Sequence, residues 1–191
     1  YARSVRFPWR PVLLAAATAF VFAFLGATAV SLLAKDAVRP LVLALLIVML
    51  GYTLAKKDFG ALHRPREVGR RELGIALAMG AVIGFYDGFF GPGTGSFLIF
   101  LFIRFFGLDF LRASAASKVV NLATNVAALS FFVPSGNVLL AFAVPMAAAN
   151  VAGSVTGTRL ALRGGTPLIR KLFLLLVVVL IARMAWDTFA G

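Results

Sequence analysis

The chain contains no cysteine, a single histidine and only 7 acidic residues among 191. Without cysteine there are no disulfides, no thiolate metal sites and no thiol chemistry. One histidine, His63, is too few for a zinc or haem site. Charge is scarce too: 14% of residues are charged and 61% are hydrophobic, whereas soluble domains carry roughly a quarter charged residues. That balance excludes a soluble globular domain. The 19 Lys and Arg give a net charge of +12, yet they lie between long apolar runs, not along one polar face. This is the pattern of membrane loops, and it argues against a nucleic-acid partner. No Gly-Lys-Ser or Gly-Lys-Thr phosphate loop is present, so ATP is not the expected driver. No cofactor is expected, and the surrounding partner is the lipid bilayer.

What the sequence does hold is a series of spans, each near the roughly 20 apolar residues a membrane helix needs. They cover residues 12–34, 38–55, 110–132, 138–162 and 168–189. Pro40 and Pro167 fall in first turns, where proline is tolerated. Asp109 stands as an N-cap, and Pro145 predicts a kink. Residues 73–106 are apolar but too long for one span. They are broken by Gly84-Phe-Tyr-Asp-Gly-Phe-Phe-Gly-Pro-Gly-Thr-Gly95. Such backbone cannot remain a continuous helix, and in lipid its polar groups would cost several kcal/mol each. It must pack inside protein or line a wet cavity. The arms, 73–89 and 96–106, would be about 25 and 17 Å long.

Loop charge decides how the arms run. Leaving aside Lys118, which lies within a span, a hairpin that enters and returns on one side puts 15 basic residues on one face and 3 on the other; with a single pass the split is 10 against 8. The positive-inside rule selects the hairpin, with the larger group in the cytoplasm and the C-terminus outside. An internal repeat points the same way. Val12-Leu-Leu-Ala15 recurs as Val138-Leu-Leu-Ala141, Gly26 as Gly153, and Pro40-Leu41 as Pro167-Leu168. Under the hairpin topology the paired helices cross in opposite directions, the inverted-repeat build of secondary transporters. The expected organisation is one transmembrane domain over 1–191. Residues 1–55 end a first repeat, 56–72 form a cytoplasmic basic loop, and 73–191 form the second repeat. Matching repeats would place about 54 further residues upstream, a missing N-terminal half-repeat with a second Gly-rich hairpin.

Three features could carry chemistry. The Gly-rich break restarts a helix near Thr94–Ser96, and a helix N-terminus favours anions; a tight interhelical crossing would also need its small residues. The stripe Ser114, Ser117, Lys118, Asn121, Thr124, Asn125 sets Ser114, Lys118, Asn121 and Asn125 on one helix face. Lys118 lies about two turns inside its span, too deep to snorkel easily, and a mid-span lysine costs on the order of 3 kcal/mol. It is read as a lumen-facing cation. Asp87 is the one acid within the apolar mass. It is either a proton carrier or a partner of Lys118 or of local backbone N–H groups. Ala149, Gly153 and Gly157 have the spacing of close helix packing.

Gly84-Phe-Tyr-Asp-Gly-Phe-Phe-Gly-Pro-Gly-Thr-Gly-Ser96, followed by Ser114-Ala-Ala-Ser-Lys-Val-Val-Asn-Leu-Ala-Thr-Asn125, resembles the second half of the TauE/SafE membrane family, in its YfcA-like branch. The resemblance runs over the whole chain and corresponds to the C-terminal three quarters of the family pattern. It implies a transporter linked to sulfite, sulfonates or other small organic anions. The family's earlier copy, an Asp before a four-glycine run and a Thr-Asn-Lys helix, has no counterpart here.

The expected fold is therefore all-α, a polytopic transmembrane bundle with inverted repeats and a broken, re-entrant hairpin. The expected function is secondary transport, in the export direction, of a small anion in an inner membrane. Substrate would sit between hairpin and stripe. Lys118 would supply countercharge, and Ser117, Asn121 and Asn125 would donate hydrogen bonds. The backbone of Gly91, Gly93, Thr94, Gly95 and Ser96 would hold the anion. Asp87 would couple protons or hold Lys118. An anion channel is the nearest alternative, and a homo-oligomer stays open. An intramembrane aspartyl enzyme would need a second buried acid that the sequence lacks, and a purely structural subunit would not need Lys118 and Asp87.

Overall fold

The computed structural model describes residues 8–29, 38–55, 67–91, 93–136 and 139–189. Residues 56–66 with His63, and Arg3, Arg6, Lys35 and Pro92, lie outside them. The helices are α1 (Trp9–Ala29), α2 (Val38–Ala55), α3 (Arg70–Phe89), α4 (Thr94–Phe106), α5 (Phe110–Phe132) and α6 (Leu140–Phe189). Among the described residues there is no strand. Among the described residues, four stretches are long and apolar enough to cross a membrane: α1, α3, α5 and Ala141–Arg183 of α6. Helical geometry continues through Pro145. The non-helical angles fall at Gly165 (φ 60°, ψ −162°), which divides α6 into arms 140–164 and 166–189.

Local chemistry sets the boundaries. Glu72 accepts from the Gly69 N–H at 3.0 Å at the start of α3, supplying one partner for the orphan amides of a first turn. Asp109 caps α5 as expected: its carboxylate accepts from Arg112 N–H at 2.8 Å and pairs with the Arg112 guanidinium. Thr94 follows Gly93, whose φ of 85° is open to glycine at little cost. Gly91, with a φ of 87°, is left-handed as well, and the two together let the chain reverse between α3 and α4.

The reversal is direct to read. Tyr86, one turn before the end of α3, stacks edge-on against Phe97, one turn into α4, with ring centroids 5.7 Å apart. Eleven residues along a straight helix would separate them by roughly 16 Å. The α3–α4 pair is thus a hairpin, as loop charge predicts.

Helix directions follow from further contacts. Gly80, Gly84 and Gly88 of α3 lie against Ala15, Ala19 and Ala23 of α1, so these helices run parallel. A Cβ built on those glycines would fall 2.4, 2.5 and 2.0 Å from the three alanine carbonyl oxygens. Only hydrogen fits. Lipid supplies no hydrophobic drive for helix association, so close backbone packing of this kind is what joins the pair. Phe24 near the end of α1 meets Phe131 near the end of α5, at 5.8 Å. Gly95 at the start of α4 lies against Asn121, and a three-residue link joins α4 to α5, so those two are antiparallel. Thr158 and Ser154 face Lys118, while Phe173 stacks on Phe110 at 5.1 Å. The first arm of α6 therefore opposes α5 and the second arm runs with it.

These directions collect charge at one end. Arg10, Arg70, Arg71, Arg104, Arg112, Arg159, Arg163, Arg170 and Lys171 all stand near the end where α1 begins. This will be called the near end. Arg183 stands towards the far end.

Candidate functional site

The hairpin tip stops partway across the bundle, beside the middle of α5. Thr94 Oγ1 donates to the Gly91 carbonyl at 2.7 Å, tying the tip together. Ser96 N–H donates to the Gly93 carbonyl at 2.8 Å, and Thr94 N–H reaches the Gly91 carbonyl at 3.3 Å. The Ser96 amide is thus already engaged, whereas the Thr94 bond is long. Asp87 sits at the tip, with its carboxyl in reach of the Thr94 and Thr124 hydroxyls. Those hydroxyls also contact the Gly91 and Asn121 carbonyls.

Lys118 crosses from α5 to the first arm of α6. Its ammonium donates to Thr158 Oγ1 at 2.9 Å and to Ser154 Oγ at 3.3 Å. Two cavities meet at this residue. The first, about 500 Å³, is lined by Gly93, Gly95, Ser96, Ser114, Lys118 and Gly157, with Ile99 and the second-arm side chains Ile169 to Leu180 as its apolar wall. The second, about 690 Å³, is lined by Lys118, Asn121, Leu122, Asn125, Asn150, Gly153 and Ser154.

The sequence-predicted residues are therefore partly gathered. Gly93, Gly95, Ser96 and Lys118 share the first cavity, and Lys118, Asn121 and Asn125 share the second. Thr94 and Asp87 sit at the tip but line neither cavity, with Gly91 a turn beyond Asp87. Ser117 is turned away. It is buried and its hydroxyl donates to the Ala113 carbonyl at 2.7 Å, while Ser114 on the next face lines the cavity instead. Asn121 lies against Gly95, and its Oδ1 is buried with no hydrogen-bond partner among the described residues.

Sequence reasoning missed Asn150, Ser154 and Thr158. Their spacing of four puts them in one row on the first arm, a polar stripe that mirrors the one on α5. The neighbouring row, Gly153 and Gly157, is not a packing seam. A Cβ at either would meet nothing within 4 Å, and both line cavities. The expectation of close helix packing there fails because α6 stands off from α5.

The sequence profile of the family described as "Sulfite exporter TauE/SafE" matches residues 1–184. The chain belongs to the TauE/SafE family. Its relatives include the "Probable membrane transporter protein YfcA" of Escherichia coli, 33% identical over 173 residues, which are 90% of this chain and 63% of that protein. A "Probable membrane transporter protein" of Haemophilus influenzae is 30% identical over 171 residues, 87% of this chain and 66% of the relative. A "Probable membrane transporter protein ORF9" of Sinorhizobium is 32% identical over 165 residues, 86% and 62% respectively. The TauE/SafE chain thus spans 63% of the length of YfcA. No solved structure matches it. Family, relatives' names and helices together make it a multi-pass membrane protein of a transporter family.

Proposed function

We propose that the chain forms the substrate-binding part of a secondary transporter that exports a small anion, such as sulfite, an organosulfonate or a related organic anion, driven by an ion or proton gradient. One observation carries this: a lysine deep in a span, held by two hydroxyls at the meeting point of two cavities. An intramembrane ammonium that lines a cavity offers an anion both charge and hydrogen bonds. Ser96 and Ser114 face the first cavity beside it. Asp87, at the hairpin tip, is the candidate for coupling a proton to that site. The opposed directions of α1 and the first arm of α6 support the inverted-repeat reading, with residues 1–55 and 73–191 as its two parts. The near-end cluster of basic residues supports an inner-membrane protein with those loops in the cytoplasm and the C-terminus outside.

The test is flux in proteoliposomes. Saturable, gradient-coupled movement of sulfite or a small sulfonate is expected, falling at least about tenfold in Lys118→Ala, the size of one charge-assisted hydrogen bond. Undiminished flux in that variant would remove Lys118 from the site. Flux that does not saturate would favour the channel alternative.

A further inference from the structure

The second cavity is an open groove with no role yet distinct from the first; all its lining residues but Asn121 are exposed, and the lining is not that of a gap between membrane helices. Asn121, Asn125, Asn150 and Ser154 supply polar groups along most of it, and Leu122 is its one large apolar side chain. Uncompensated amides in a span face water, protein or a ligand, never hydrocarbon. Asn121 packs its Nδ2 against Gly95 of the hairpin tip, and its Oδ1 is a buried polar atom with no hydrogen-bond partner among the described residues. Since an amide presents two donors or one acceptor according to its orientation, Asn121 is free to turn either group to a guest. Among the described residues, the one charge in the lining is the Lys118 ammonium, and none of them brings a carboxylate to the cavity. The sign of the guest follows: anionic.

Lys118 also lines the first cavity. Its partners Ser154 and Thr158 are one helical turn apart, about 6 Å along the first arm. Ser154 borders the second cavity, and Gly157, beside Thr158, borders the first. The flexible lysine stem with three donors can lean to either rung. Resting on the proposed transport function, we infer that the second cavity is a second anion station, nearer the far end, and that Lys118 is the shared cation that hands a small oxyanion between the two. The three asparagines replace the anion's hydration on the far-end side. Ser154 and Thr158 hold the ammonium when neither station is filled.

The absence of native cysteine makes the test clean. Single variants Ser114→Cys for the first station, and Asn150→Cys and Asn125→Cys for the second, are labelled in proteoliposomes by a water-soluble maleimide. Each is labelled with and without methanesulfonate, and in a parallel arm with and without acetate. At least one of these anions is expected to slow labelling about tenfold at both stations, and Lys118→Ala is expected to abolish protection at both, while Lys118→Arg keeps it. Protection at Ser114→Cys alone overturns the second station and leaves the transport function standing. Protection at Asn150→Cys or Asn125→Cys that survives Lys118→Ala overturns the shared cation. Protection at no position, with either anion, overturns both this inference and the proposed site.

Discussion

Two glycine rows in this protein have the same spacing and opposite uses. Gly80, Gly84 and Gly88 of α3 press on the backbone of α1, where a single methyl group would collide with a carbonyl oxygen. Gly153 and Gly157 of α6 touch nothing on the side where a Cβ would stand, and they border the cavities around Lys118. In the first seam glycine brings backbones together; in the second it keeps space open. The α1–α3 seam is a fixed scaffold that carries the hairpin to its depth. The α5–α6 seam is joined by hydrogen bonds from the Lys118 ammonium to two hydroxyls across open volume. A sequence motif of small residues therefore states only that bulk is excluded, not what fills the place.

The largest effect expected from breaking this contrast is at Gly88, where the built Cβ lies 2.0 Å from the Ala23 carbonyl oxygen. Gly88→Val should cost about 3 kcal/mol or more, as an overpacked interior does, read as a loss of thermal stability in detergent. Gly157→Leu is the counterpart. Its stability should stay within about 0.5 kcal/mol of the parent, as at an unpacked position, while flux is lost because the first cavity is filled. If Gly157→Leu is instead the less stable of the two, the contrast is wrong. Next in size is the cap of α5: Asp109→Ala should cost about 1 kcal/mol and Asp109→Asn much less, measured by the same melting experiment. Smallest is the exchange of one rung. Thr158→Val should lower the KM for the anion by roughly threefold with little change in stability, since it removes a hydrogen bond that holds the ammonium when no anion is bound.

Much of the fold is legible in the sequence because membrane spans are a length-and-composition signal. α2 and α5 start and end where the apolar runs do, and Asp109 announces the start of α5. The hairpin is legible from charge, because placing 15 basic residues on one side requires the chain to turn back at the Gly-rich break. The α4 start, at Thr94, is the first of the residues 94–96 expected, because Gly93 in the left-handed region already turns the chain. The site is less legible. Lys118 stands out because a charge in a span is rare, and helical spacing already sets Ser114 on its face and leaves Ser117 off it, as the cavity lining and the Ser117 bond to the Ala113 carbonyl bear out. Asn150, Ser154 and Thr158 went unseen because neutral polar residues are common in membrane helices, and their row matters only opposite Lys118. Composition reveals a charge out of place. It does not reveal which weakly polar neighbours receive it.

The central claim is that an anion sits at Lys118 between the hairpin tip and α6. The most direct measurement is a structure of the protein in lipid with 2-bromoethanesulfonate, locating bromine by its anomalous signal. The account predicts a sulfonate within about 3 Å of Lys118 Nζ, in one or both of the cavities that Lys118 borders. Bromine found only outside those cavities, or a sulfonate bound in a protein whose Lys118 still holds Ser154 and Thr158 with no contact to the anion, would contradict it.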